Sequence, residues 1–499
     1  MKISLLAVSG VLLFAPASLA LQAIDDQYLA NVSGQAGITI ETNTSAADGT
    51  VLTAGSVVFT ELDEDGLGDE TVSLHGLKLQ VVELDNAGNI IGPAGFKTTI
   101  DVLDTGELSL KTTDLPAISL NVDDIRFGSR SIGTVGLNKW RFAPGSFVET
   151  AVVPSSKDVK IRLRTFMTDG SDIEFSYIED GLALASDIEF KPGLDSNGIS
   201  SPFDTEFFVS AVDGELRLEF GKTVGTLELN NLRFLNPDDG SVLFGGATFG
   251  DVGFGNISVN TGYFTLGANP DAEGLKGKFA SDISIGTAFY RTNGKRVNLE
   301  NVSLSTGRDS SNAVREVDYS FEIVGGAGLY GNGIAASLSN IDDLSLVVDA
   351  ITFSDADGSN AGKSLGSFGI RNLSLQGSLT ASVWALPGAG SQGVRTDVQL
   401  SDGAQFNISV KDDPLPQSEG PGPDPELTAS VVVNDFSSES HIDITEKGLH
   451  ISVVDLEMSA NLNSIKFGNN QNYKGQSGRV VIDSFTVQPG SYLRVEPIQ

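Results

Sequence analysis

Four stretches of the chain are variations on one twelve-residue string. Ser131–Phe142 reads SIGTVGLNKWRF, Thr223–Phe234 TVGTLELNNLRF, Thr248–Val259 TFGDVGFGNISV and Ser364–Leu375 SLGSFGIRNLSL. Each places Ser or Thr first, an apolar residue second and Gly third. Apolar residues then fall at the fifth, seventh, tenth and twelfth positions. Alternation of this kind belongs to a strand with one buried and one wet face. Moving the register by one residue would exchange the faces, so the shared glycine is expected to pin register or to admit a close backbone crossing.

The string also has a first half. Ser119–Phe127 (SLNVDDIRF) precedes the first copy and Ser345–Phe353 (SLVVDAITF) precedes the last, and the two agree at Ser, Leu, Val, Asp, Ile and Phe. An apolar-x-Phe-Gly step recurs at Ile125–Gly128, Leu218–Gly221, Val242–Gly245 and Ile465–Gly468, and a partial copy starts at Ser284. The unit therefore reads as strand, turn, Ser/Thr-apolar-Gly, strand. Copies begin at 131, 223, 248 and 364, at intervals of 92, 25 and 116 residues. A regular solenoid has one short period. These intervals favour a large sheet system with insertions.

The remainder agrees. Val57–Phe59, Leu77–Val82 and Leu108–Leu110 are short apolar or alternating runs, and turn sequences such as Asp85–Asn89, Asn236–Gly240 and Asp355–Gly358 punctuate the chain. Sustained helical spacing is rare. The expected fold is all-β: an elongated, mainly antiparallel sheet system of recurring strand–turn–strand units, solenoid-like or a large sandwich, with a short N-terminal helix. Residues 1–20 read as a secretory signal, with Lys2, an apolar run to Phe14, and Ser18-Leu19-Ala20 as a cleavage site. The expected parts are then a motif segment over 21–45, a repetitive body over 46–410, a loop or linker over 411–426 and a C-terminal β segment over 427–499. The segment over 411–426 carries Pro414, Pro416, Pro421, Pro423 and Pro425 and cannot form a central strand. The Ile465–Gly468 step beyond it favours a loop inserted in one continuous body.

With 32 basic against 65 acidic residues the formal charge is −33, which disfavours nucleic acid and anionic membranes as partners. No stretch reaches the length of a membrane-spanning helix. There is no cysteine, so disulfides and thiolate chemistry are excluded.

After the signal, Leu21–Glu41 reads LQAIDDQYLANVSGQAGITIE. Asp25 or Asp26 can cap a short helix with Tyr28, Leu29 and Val32 on one side, and Gly34 stops it. Its D-D-x-x-L-x-x-V-S-G-Q-x-G-I-T-I pattern, carried by Asp25, Asp26, Leu29, Val32, Ser33, Gly34, Gln35, Gly37, Ile38 and Thr39, resembles a group of secreted gammaproteobacterial β-rich proteins. That group is labelled as pilus-system (Fil-type) or surface proteins. The resemblance implies a surface or appendage role and transfers no catalytic residue.

Chemistry finds few footholds. His75, His441 and His450 are the only histidines, and none has zinc-site spacing. Gly362-Lys363-Ser364-Leu365-Gly366 matches a nucleophile-elbow string but opens a β repeat, where no helix follows. Gly250–Gly255 fails as a dinucleotide fingerprint for the same reason. Trp140 occupies an apolar position of the repeat and is expected in the core. The one ligand candidate is Glu61–Asp69 (ELDEDGLGD). There Glu61, Asp63, Asp65 and Asp69, with Gly66 at the bend, resemble a calcium loop. Position twelve is Val72, so the closing bidentate acid is missing. The same residues also suit a solvated acidic hairpin loop. Asp355 and Asp357 form a shorter echo.

These features point to an exported, non-catalytic structural or adhesive surface protein, a component or accessory of a pilus-like system or biofilm matrix. It is expected at the cell surface, outside the cell or in the periplasm, with other surface proteins or further copies as partners and no cofactor beyond the calcium candidate. The alternatives are a secreted carbohydrate-active enzyme on a β scaffold and an outer-membrane barrel. The end Ser491–Gln499 lacks the terminal aromatic of such barrels.

Overall fold

A computed structural model of the chain describes residues 38–495 except 44–48, 61–70, 86–89, 104, 116, 128–129, 132, 155–159, 180–181, 195–198, 213–214, 237–240, 244–247, 269–273, 293, 326–331, 360–363, 386–391, 412–425, 446–447, 468–479 and 488–489. The described residues are all-β, with no helix, and every strand pairing given below is antiparallel. The expected signal and N-terminal helix lie outside them. The chain divides into two compact units. The first comprises 1–179, 184–228 and 265–268, and the second comprises 180–183, 229–264 and 269–499.

Within the first unit the strands form two ladders. One holds Thr50–Thr60, Thr71–Leu84, Ala117–Val122 with Asp124–Phe127, Thr134–Arg141 and Ser171–Glu179. The other holds Ile38–Asn43, Gly95–Val102, Leu108–Thr113, Phe147–Val153, Lys160–Met167, Phe203–Val212 and the start of Glu215–Phe234. The chain visits them alternately, two strands at a time. Each passage makes a corner, where ladder hydrogen bonds are interrupted and side chains replace them. At one corner the Ser146 hydroxyl accepts from Thr168 N–H and the Ser171 hydroxyl accepts from Ala143 N–H. The core lies beside these corners. Val81, Phe96, Leu115, Phe142, Met167, Ile173, Phe190 and Phe203 are buried together, with Leu137, Trp140 and Val148 against them.

The second unit repeats the weave. One ladder runs through the end of Gly274–Thr292, then Lys295–Ser305, Asp342–Val348 with Ala350–Asp355, Ser367–Leu375, Ala404–Lys411 and the halves of Glu426–Thr445 and Gly448–Phe467 that pair there, to Val480–Thr486. The other runs from the start of Gly274–Thr292 through Val317–Gly325, Asn332–Ser339, Ser378–Ala385 and Gln392–Leu400 to Ser491–Val495, again using halves of the two long strands. Its corners use the same device: Ser378 N–H donates to the Ser401 hydroxyl and Ser281 N–H to the Thr306 hydroxyl. Strands of the other ladder intervene between the copies at 131 and 223 and between those at 248 and 364, whereas the copies at 223 and 248 bond directly through Leu232 and Gly250, so the intervals are unequal. Lys411 pairs with Glu426, so residues 412–425 join neighbouring strands of one ladder.

The twelve-residue string is a strand with a built-in bulge. Its ninth residue is left-handed in every copy: Lys139 (φ 49°), Asn231 (54°), Asn256 (54°) and Asn372 (55°). Opposite it the register slips by one. Leu137 faces Leu120 but Trp140 faces Ile118, and Arg371 faces Asn407 but Ser374 faces Gln405. One extra residue on the bulged strand keeps positions seven and ten on the same face, and Leu137, Trp140 and Phe142 accordingly meet one core. The six residues around the bulge, apolar-x-(left-handed)-apolar-x-apolar, recur at Leu74–Leu79 with Gly76 (φ 62°), Leu299–Leu304 with Asn301 (50°) and Leu462–Phe467 with Ser464 (54°). At Gly76 and Asn301 the neighbouring strand carries its own extra residue, Asp123 or Asp349, whose N–H donates to His75 O or Glu300 O.

The two halves of the longer unit are joined by hydrogen bonds. Ser119 Oγ accepts from Lys139 N–H (3.0 Å), and Ser345 Oγ accepts from Asn372 N–H (3.3 Å). Ile125 N–H donates to Gly133 O and Ile351 N–H to Gly366 O, both at 2.9 Å. Ser131 and Ser364 receive Gly133 and Gly366 N–H on their hydroxyls. The third-position glycines have φ of 107°, 143°, 102° and 94°, which L side chains rarely adopt. At Gly225 a close crossing is present as well, since a Cβ on Gly193 would lie 2.7 Å from its Cα. The close backbone crossing expected of this glycine is therefore present at Gly225.

Candidate functional site

Glu61, Asp63, Asp65 and Asp69 lie outside the described residues. Thr60 pairs with Thr71, so the segment that contains them joins two neighbouring strands. Among the described residues no group of three or more His, Cys, Asp or Glu side chains is placed to hold a metal ion. The shorter echo is a satisfied turn. Asp357 accepts the Ser359 hydroxyl and N–H, which hold its carboxyl below the ordinary range. Asp355 meets Lys295 at 2.7 Å.

The nucleophile and histidine candidates are not brought together. Ser364 Oγ caps Gly366 N–H at 2.9 Å. His75 Nε2 contacts Ser73 Oγ at 2.9 Å, His441 lies 3.4 Å from Glu439, and the His450 ring packs edge-on against Tyr492. Trp140 stacks on Phe142 against the first core, with centroids 4.9 Å apart, and is not displayed as a sugar platform.

One ionic cluster escapes composition arguments. Lys160, Arg162, Arg164 and Phe166 alternate along one face of Lys160–Met167, while Leu163 and Met167 point the other way. The neighbouring strands supply acids to that face. Arg162 bridges Glu107 (2.9 Å) and Glu149 (3.0 Å), and Ser109 adds a hydroxyl to Glu149. Arg164 grips Asp204 with Nε and Nη2 (2.8 and 2.9 Å), and Lys222 approaches the same carboxylate at 3.1 Å. Asp204 is only 1 % exposed. Burial pushes its pKa up, but the hydrogen bonds and charges of Arg164 and Lys222 outweigh this and hold it below the ordinary carboxylate range. Arg164 is correspondingly raised, mainly by its bond to Asp204. The i, i+2 runs Lys160-Ile161-Arg162-Leu163-Arg164 and Asp204-Thr205-Glu206 were the available signal. Each of these ions meets an opposite charge on a neighbouring strand, an arrangement that favours one strand register, although Arg162 Nε is buried without a hydrogen-bond partner.

The outermost strands have a different character. Val480–Thr486 pairs with Gly448–Phe467 on one side, and Val480, Val481 and Phe485 are 47–48 % exposed. Ser491–Val495 follows, with Tyr492 and Leu493 at 67 and 61 %. At the start of the chain, Thr50–Thr60 carries no charge and exposes Val58 at 50 %.

No helix among the described residues is long and apolar enough to cross a membrane, a statement that does not bear on β-barrels. In comparisons with known proteins, a family of unknown function, DUF6160, matches residues 1–104. No curated protein and no solved structure matches the chain.

Proposed function

We propose that this is an exported, non-catalytic structural or adhesive protein of the cell surface, acting as a component or accessory of a pilus-like or matrix system. The observation that carries the reading is how the described polar chemistry is used. Ser364, the Arg162–Glu149 pair and the Arg164–Asp204–Lys222 cluster all serve the ladders. A catalytic centre needs a nucleophile or proton carrier held ready in a cleft, and these groups are committed to strand register. The leader-like first twenty residues and the motif ending at Ile38-Thr39 support export. The charge of −33 suits a protein that stays dispersed outside the cell.

Fractionation of producing cells with protease shaving and surface labelling tests this. The reading expects the protein at the outer surface or in the medium, extractable without detergent. Recovery in the cytoplasm, or only from detergent-solubilised outer membrane, would overturn it. Turnover in a polysaccharide screen with the purified protein would instead favour the carbohydrate-active alternative.

A further inference from the structure

We infer that copies of this chain join head to tail, with the last two strands of one copy, Val480–Thr486 and Ser491–Val495, pairing with the first two described strands of the next, Thr50–Thr60 and Ile38–Asn43. The inference stands on strand order and direction and does not depend on where the protein acts.

The weave supplies the first argument. Between corners the chain lays down two neighbouring strands in one ladder, as in Phe147–Val153 with Lys160–Met167 and Ser378–Ala385 with Gln392–Leu400. Ser491–Val495 enters its ladder as one strand beside Gly448–Phe467, and Ile38–Asn43 stands as one strand beside Gly95–Val102. Each is half of a pair among the described residues.

Direction supplies the second. Val480–Thr486 runs toward its corner, since Leu462 faces Val480 and Glu457 faces Thr486; Ser491–Val495 then runs away from it. In the first unit the senses are reversed. Thr50–Thr60 leaves the corner, with Thr50 opposite Gln80, and Ile38–Asn43 approaches it, with Asn43 opposite Gly95. A head-to-tail joint therefore gives antiparallel pairing in both ladders with the corners on one side. A two-fold joint between identical edges would put the corners on opposite sides and extend one ladder only.

Charge agrees with this occupant. By sequence Ser491–Val495 carries one cation, Arg494, and Ile38–Asn43 one anion, Glu41, which also lies 3.8 Å from Lys97. In the other ladder the uncharged Thr50–Thr60 meets Val480–Thr486, whose Val480, Val481 and Phe485 are exposed. Edges protected against pairing usually carry lysines or prolines, and neither strand has one.

Mass photometry and sedimentation of the purified full chain test the joint, at about 0.3 M salt so that repulsion between acidic copies is screened. Wild-type protein should form a concentration-dependent series of oligomers. Val58→Lys and Val481→Lys place a charge on opposite edges at exposed positions, and unchanged thermal melting shows that each still folds. Each variant alone should be monomeric. An equimolar mixture should form dimers and nothing larger, because each copy retains one competent edge. Monomeric wild-type protein would overturn the inference. So would oligomers of Val481→Lys alone, which imply pairing between N-terminal edges, or of Val58→Lys alone, which imply pairing between C-terminal edges.

Discussion

Residues 119–142 and 345–375 make the same main-chain unit with different side-chain surroundings. Both have a serine hydroxyl on the amide of a left-handed ninth residue, an Ile N–H on the carbonyl of a positive-φ glycine, and a seryl cap on that glycine. The first is seated in a large core, where Ser119 is buried, Trp140 packs with Leu137 and Phe142, and Phe142 is buried. The second is shallower, with Ile351 beside a cluster of Ala288, Val302 and Val348, and Leu373 half-buried. The comparison separates what specifies the unit from what stabilises it. Backbone geometry and three short hydrogen-bonding contacts are constant. Apolar burial varies, so the unit can be reused wherever a ladder needs a bulge.

Substitutions can break or sharpen that separation. The largest effect is expected outside both copies, at Asp204, which provides a reference for an electrostatic loss. Asp204→Asn leaves Arg164 and Lys222 facing a neutral amide and should cost about 3–5 kcal/mol in denaturant unfolding. The native carboxyl titrates below its unfolded value, so its stabilisation is present above the unfolded pKa. It is lost as pH falls through the folded pKa. The difference between wild type and Asp204→Asn should therefore shrink below about pH 4. A pH-independent difference would assign the loss to packing.

Next comes the contrast between the copies. Trp140→Ala should cost about 3 kcal/mol and Leu373→Ala about 1 kcal/mol, read as shifts in unfolding midpoint. Equal losses would erase the distinction between a deep and a shallow seat. Gly133→Val and Gly366→Val test what the copies share: both should lose about 2 kcal/mol, because a β-branched residue is strained at φ near 100°. If thermal stability is unchanged in both, the glycine has no structural role. Ser119→Ala and Ser345→Ala should each cost about 1 kcal/mol, the former more because its site is buried.

Much of this was legible in the sequence. Alternation, turns and the glycine at position three predict an all-β, antiparallel chain with recurring units. The bulge was visible too: apolar positions five, seven, ten and twelve change parity between seven and ten, and one face can serve them all only if a residue is extra. The ninth residue was less legible, since Asn and Lys in a strand read as ordinary solvent-facing positions. The two-ladder weave was not legible. Asn332–Ser339 pairs with Ser378–Ala385 across a full visit to the other ladder, and no local pattern records that choice. The Asp204 cluster was half legible. Alternating charges mark a strand face, but the partners come from 40 residues away.

Lys139→Gly offers the most direct test of the central claim that a left-handed residue builds each bulge. An ordinary strand residue changed to glycine loses about 0.5–1 kcal/mol through backbone entropy. A left-handed lysine carries a steric cost that glycine relieves. The account predicts that Lys139→Gly unfolds at an equal or higher denaturant concentration than wild type. A lower midpoint by about 1 kcal/mol would place Lys139 in extended backbone and contradict the account.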